Sequence, residues 1–147
     1  MRVGSTLLLK ERRCYQSYNW SCFRPMGTLQ IAMDSLDEYE CDEVAIIRPV
    51  REWDCLEPFC KDLDIIREMN TVTPICFGGG IRCFQHLELL QDLPIERLIF
   101  SSAFIENNHG LVESARLLLG KQALQCLLPI KVLSETIHVY LSSEARF

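Results

Sequence analysis

Thr73-Pro74-Ile75-Cys76-Phe77-Gly78-Gly79-Gly80-Ile81-Arg82 is the stretch that decides the fold. A strand-length apolar run ends in three glycines, and a segment with helical spacing, Leu87, Leu90 and Leu93, follows it. Apolar residues at consecutive positions suit a strand covered on both faces, which is the condition of a parallel sheet. The same pattern recurs on either side. Further apolar runs stand at 5–9, 44–47, 97–100 and 123–128. Between them, Leu29, Met33, Leu36 and Tyr39 recur at three and four, as do Leu56, Phe59, Leu63, Ile66 and Met69. Leu111, Ala115, Leu118 and Leu119 make the last amphipathic segment. Asp54 with Glu57 forms a capping-box-like start for the second helix, and Gly120 can close the last.

Strand–helix–strand, four times over, predicts right-handed parallel crossovers and an α/β fold. Two segments depart from it. Residues 13–18 read as an extended piece before the first helix. Residues 127–132 and 136–141 read as a hairpin about Leu133-Ser134-Glu135. With no linker or low-complexity tract, residues 1–147 are expected to form one domain.

Hydrophobic residues make up 48% and charged residues 24%, the composition of a globular chain. Fifteen Lys and Arg against twenty Asp and Glu leave a charge of −5. That balance argues against nucleic-acid and anionic-membrane partners, which need basic faces, but allows a local anion pocket. No apolar run approaches the ~18 residues of a membrane span. The apolar stretch before Lys10 is too short for a secretory leader, and the eight cysteines form no Cys-x-x-Cys pair. A reduced, cytoplasmic chain is therefore expected.

Three glycines after a strand let the backbone approach an anion and expose the amides of the turn and of the helix start. The next strand ends in Phe100-Ser101-Ser102-Ala103, placing two hydroxyls at the carboxyl edge, where parallel sheets bind ligands. Gly78, Gly79, Gly80, Ser101 and Ser102 thus form a candidate monophosphate cradle. The plainer reading is a sharp turn, with Ser102 merely capping the last helix. Cys83 and His86 stand three apart with no second pair of ligand spacing, so they are read as structural, and no metal or cofactor is expected. His109 and His138 stand alone. No nucleophile-elbow pattern occurs. Tyr18, Trp20, Phe23 and Trp53 fall in strand-to-helix loops, where they could ring a ligand or cover a sheet face.

Gly78-Gly79-Gly80-Ile81-Arg82, Ser101-Ser102-Ala103-Phe104-Ile105-Glu106-Asn107 and Gly120-Lys121-Gln122-Ala123 resemble the cyclase subunit of imidazole glycerol phosphate synthase, the HisF-type enzyme of histidine biosynthesis, and its amidino-sugar paralogues. Tyr18-Asn19-Trp20, Phe23-Arg24-Pro25-Met26-Gly27 and Asp42-Glu43-Val44 support the likeness. It spans the chain but covers only the first half of the family's eightfold barrel. The implied fold is half a TIM barrel: (βα)4 plus a fifth strand and a C-terminal β-hairpin.

The resemblance implies that Gly79, Gly80, Ser101 and Ser102 hold one end of a two-phosphate substrate. Ser101 replaces the usual asparagine, so its reach is shorter, and the second phosphate site belongs to the other half. The family's two catalytic aspartates, ending strands one and five, fall on Leu8 and Pro129, and a third acidic position falls on Arg48. Neither Leu8 nor Pro129 transfers a proton, and each such group is worth ~100- to 10,000-fold. No catalytic residue is therefore expected. Arg2, Glu43 and Arg97 fall on three positions of the charged ring that gates ammonia from a glutaminase partner; strand-start ion pairing is the plainer account of them.

Half a barrel cannot close on itself, so strand one and the fifth strand should be left as open edges, with the inner face wet. Pairing about a two-fold axis, in a dimer or higher even assembly, would cover both, or the hairpin could fold over the open side. Three functions follow. The first is a self-associating binder of phosphate or a small phosphosugar, inactive as a cyclase. The second is a subunit of an ammonia-using cyclase, with a glutaminase as candidate partner. The third is a structural or regulatory interaction module with a vestigial phosphate site.

Overall fold

The computed structural model describes residues 3–18, 22–50 and 56–141. A seven-stranded sheet runs in the order β3-β2-β1-β4-β5-β6-β7. Its strands are β1 (Gly4–Lys10), β2 (Arg13–Tyr18), β3 (Cys22–Gly27), β4 (Glu43–Ile47), β5 (Ile75–Gly78), β6 (Arg97–Phe100) and β7 (Leu124–Cys126). β1, β4, β5, β6 and β7 are parallel and lie side by side in chain order. Helices α1 (Leu29–Glu38), α2 (Leu56–Glu68), α3 (Phe84–Leu90), α4 (Ser102–Ile105) and α5 (His109–Leu119) supply the crossovers. Five sequential parallel strands with intervening helices are the architecture of half a TIM barrel.

Strand alternation divides the sheet into two faces. Leu7, Leu9, Val44, Ile46, Ile75, Phe77, Leu98 and Phe100 join Leu29, Met33, Phe59, Leu63, Ile66, Leu87 and Leu111 of the helices in the main core. The other face, which would point into a barrel, carries the register row Leu8, Ile47, Gly78, Ile99. The expectation that this inner face is wet is corrected. Leu8, Ile47, Cys76 and Ile99 form a second buried cluster, with Tyr15 of β2 packed against it.

The expectation of an open first strand is corrected too. The extended segment before α1 is β2, and it pairs antiparallel along Leu8–Lys10 of β1. A strand that periodicity does not reveal, β3, completes a meander outside it. Residues Glu11 and Arg12, both at positive φ (49° and 66°), close the β1–β2 turn. The Arg12 amide donates to Asp62 Oδ1 of α2 at 2.9 Å, which ties that strained turn to the helix layer. The sheet's outer margin is β3, fully exposed and carrying Pro25, whose missing N–H blunts the edge.

The C-terminal hairpin forms as expected, from β8 (Ile130–Leu133) and β9 (Thr136–Val139). Ser134 and Glu135 turn it at φ 47° and 68°. The exposed apolar surface gathers here: Leu127, Leu128, Ile130, Val132, Leu133 and Ile137 are each more than 40% exposed. Gly120, at φ 86°, closes α5 by donating its N–H to Arg116 O. The Asp54 cap, Trp20 and Trp53 lie outside the described residues. No helix among the described residues is long and apolar enough to cross a membrane.

Candidate functional site

The carboxyl ends of β4, β5 and β6 and the hairpin together line a partly open cavity of about 780 Å³. Gly79, Gly80, Ser101 and Ser102 all line it, and so do Arg82, Ile130 and Tyr140. The topology therefore brings the predicted cradle residues together at one strand edge, except Gly78, which stays inside the sheet as the last residue of β5.

The glycines are there first for packing. A Cβ on Gly78 would lie 2.6 Å from the Ile99 carbonyl oxygen, and one on Gly79 would lie 2.0 Å from that of Arg48. Gly79 and Gly80 also adopt φ of 90° and 80°, where side chains are strained. Neighbouring strand ends therefore already demand glycine at Gly78 and Gly79, independently of any ligand. The helix start is no donor, because α3 begins only at Phe84.

Ser102 does not cap the last helix. Asn108 does, its Oδ1 accepting from the Leu111 amide at 3.3 Å. The Ser102 hydroxyl instead accepts from the Arg82 guanidinium at 2.5 Å, across the cavity wall from the start of α4 to the β5–α3 loop. Arg82 is the site residue that spacing alone did not single out, although it ends the quoted glycine motif. Its backbone is anchored by His86, whose Nδ1 accepts the Arg82 N–H at 3.2 Å. His86 is buried against Phe59, with ring centroids 4.5 Å apart, and Cys83 Sγ lies 3.4 Å from its Nδ1. The Cys83–His86 pair is thus built into the turn that carries Arg82. Among the described residues, no three His, Cys, Asp or Glu gather as a metal site would require.

The positions where the resemblance expects acids hold none. Leu8 is buried in the inner row, and Pro129 lines the cavity wall. Arg48 turns away from the mouth. Its guanidinium lies 4.9 Å from the Phe59 ring centroid and pairs with Asp62 at 2.8 Å, both side chains almost fully buried. Asp62, a residue that no motif in the sequence singles out, thereby ties the end of β4 and the β1–β2 turn to α2.

At the opposite end of the sheet, Glu43 and Arg97, the first residues of β4 and β6, form a partly buried ion pair. Cys76 Sγ lies 3.8 Å from Glu43 Oε2, and burial, with Glu43 beside it, pushes that thiol pKa up. Arg2, the third member of the expected cluster, lies outside the described residues. Burial likewise raises Cys14, to about 11. Neither thiol is poised as a nucleophile.

The chain matches a Vibrio vulnificus (strain YJ016) protein provisionally named imidazole glycerol phosphate synthase subunit hisF3, 26% identical over 132 residues. The resemblance is to HisF. A Leptospira borgpetersenii protein provisionally named imidazole glycerol phosphate synthase subunit HisF is 25% identical over 130 residues. Each alignment covers 88% of this chain but only 49% and 50% of those HisF proteins, so the chain spans about half their length. No family model matches it. Five sequential parallel strands, flanked by the β2–β3 meander and the C-terminal hairpin, are consistent with a HisF-like half-barrel.

Proposed function

We propose that residues 1–147 form one HisF-like half-barrel domain that binds inorganic phosphate or a small phosphosugar, self-associates, and performs no cyclase chemistry. The observation that carries the reading is the Arg82–Ser102 contact beside Gly79 and Gly80 in one cavity. A guanidinium whose partner here is a neutral hydroxyl can turn its remaining donors to an anion, and charge-assisted bonds of that kind are the strong ones. Ser101 adds a second hydroxyl at the same strand end. The loss of cyclase activity rests on Leu8 and Pro129 standing where the proton-transfer groups would be. The cysteines described are free thiols, in keeping with a reduced, cytoplasmic setting.

Inorganic phosphate should raise the thermal midpoint of the chain, and Arg82→Gln should abolish that shift while leaving the unliganded midpoint close to wild type. An equal shift in both proteins would refute the site. Gly79→Val is a poor probe, because the Arg48 carbonyl leaves it no room.

The Glu43–Arg97 pair favours a second reading, in which the chain serves an ammonia-using cyclase beside other chains, including a glutaminase. That reading alone predicts turnover of the family substrate with ammonium. A purely structural or regulatory module, with the cradle vestigial, predicts neither phosphate binding nor turnover.

A further inference from the structure

The walls of the cavity say more about the ligand than its anion cradle does. Ile47, Val50, Ile81, Ile99, Leu127 and Ile130 line it, from three strand ends on one side and the hairpin approach on the other. Its volume of about 780 Å³ is far larger than a phosphate ion requires and falls in the range of sites for organic ligands. The polar side chains described on the wall are few. Arg82 and Ser102 are bonded to each other at the cradle, Ser101 adjoins them, and Lys131 and Tyr140 stand on the hairpin side. The Arg48 guanidinium is turned onto Phe59 and Asp62. No carboxylate lines the cavity among the described residues.

Resting on the phosphate reading above, we infer that the cavity takes an organic monophosphate with an apolar body, an aryl or alkyl phosphate, in preference to a polyhydroxylated sugar phosphate. A sugar body would lay its hydroxyls against isoleucine, valine and leucine. Each hydroxyl stripped of water without a partner weakens binding by roughly tenfold. An apolar body gains where the sugar loses, because it removes its own surface and that of the wall from water together. Pro129 adds to the same apolar wall.

Calorimetric titration of the full chain with inorganic phosphate, glycerol phosphate, naphthyl phosphate and naphthol separates the two readings. Naphthyl phosphate should bind at least about tenfold more tightly than glycerol phosphate. Arg82→Gln should weaken both phosphates, and Ile130→Ser, at a position 55% exposed and so tolerant of change, should narrow the gap between them. Equal affinity for the two esters, with inorganic phosphate still bound, would overturn the apolar-body inference and leave the phosphate site standing. Naphthol binding as tightly as naphthyl phosphate, with no response to inorganic phosphate, would overturn both.

Discussion

Gly79 shows how one position can be demanded twice. Its φ of 90° disfavours any side chain, and the Arg48 carbonyl oxygen occupies the place where a Cβ would go, 2.0 Å away. Gly79→Ala should therefore destabilise the fold by about 3 kcal/mol, read from denaturant unfolding. A loss within ordinary surface values would show that the strand ends can spread apart. Asp37 makes a different prediction. Hydroxyl donation from Thr73 and then Thr71, with the Val72 and Thr73 amides, holds its carboxyl below the usual range. Its pKa is thus lower folded than unfolded, so the unfolded chain takes up the proton first as pH falls. The stability it contributes is present above about pH 4 and is lost below that. Asp37→Asn should flatten the acid limb of a plot of thermal midpoint against pH, and an unchanged limb would remove Asp37 from that role.

At the scale of elements, the parallel strands and their helices were legible because each buries a continuous or helically spaced apolar set. The five apolar runs became β1, β4, β5, β6 and β7, and the four amphipathic segments became α1, α2, α3 and α5. The β3 strand was not legible. All six of its residues are exposed and it contains a proline, so no burial pattern marks it; it exists because β2 offers it an edge. The short α4 escaped notice for a similar reason, being a single turn that buries only Ala103. Both hairpin turns place ordinary side chains at positive φ, a conformation that favours Asn-Gly. Replacing Ser134-Glu135 by Asn-Gly should relieve that strain and slow hydrogen exchange at the β8 and β9 amides by roughly two- to fivefold. Faster exchange would mean that the hairpin is held by something other than its turn.

The whole molecule meets the half-barrel problem in two places. On the β1 side, the β2–β3 meander extends the sheet and Tyr15 helps bury the inner row. On the β7 side, the hairpin stands over the cavity and carries its own exposed apolar surface. Val132 and Ile137 face each other across that hairpin and are 63% and 65% exposed. If this surface drives self-association, light scattering at micromolar concentration should show a dimer or higher even assembly. Val132→Glu with Ile137→Lys, a charge pair that the register tolerates, should return it to the monomer. A wild-type monomer under those conditions would remove the hairpin as an interface.

The glycine run, the serines after β6 and the missing carboxylates can all be read from residue order, because strand ends, turns and substitutions are local properties. The order of residues also places the cradle at one edge of the sheet, since parallel crossovers leave little freedom in where successive strand ends lie. Folding in three dimensions decided the rest. It set Arg82 against Ser102, buried Arg48 on Asp62 and Phe59, and made the glycines a requirement of neighbouring backbone. It also packed Tyr15 of β2 against the inner row. Each of these depends on which side chains come within a few ångströms across sequence separations of tens of residues, and only the packed chain determines that.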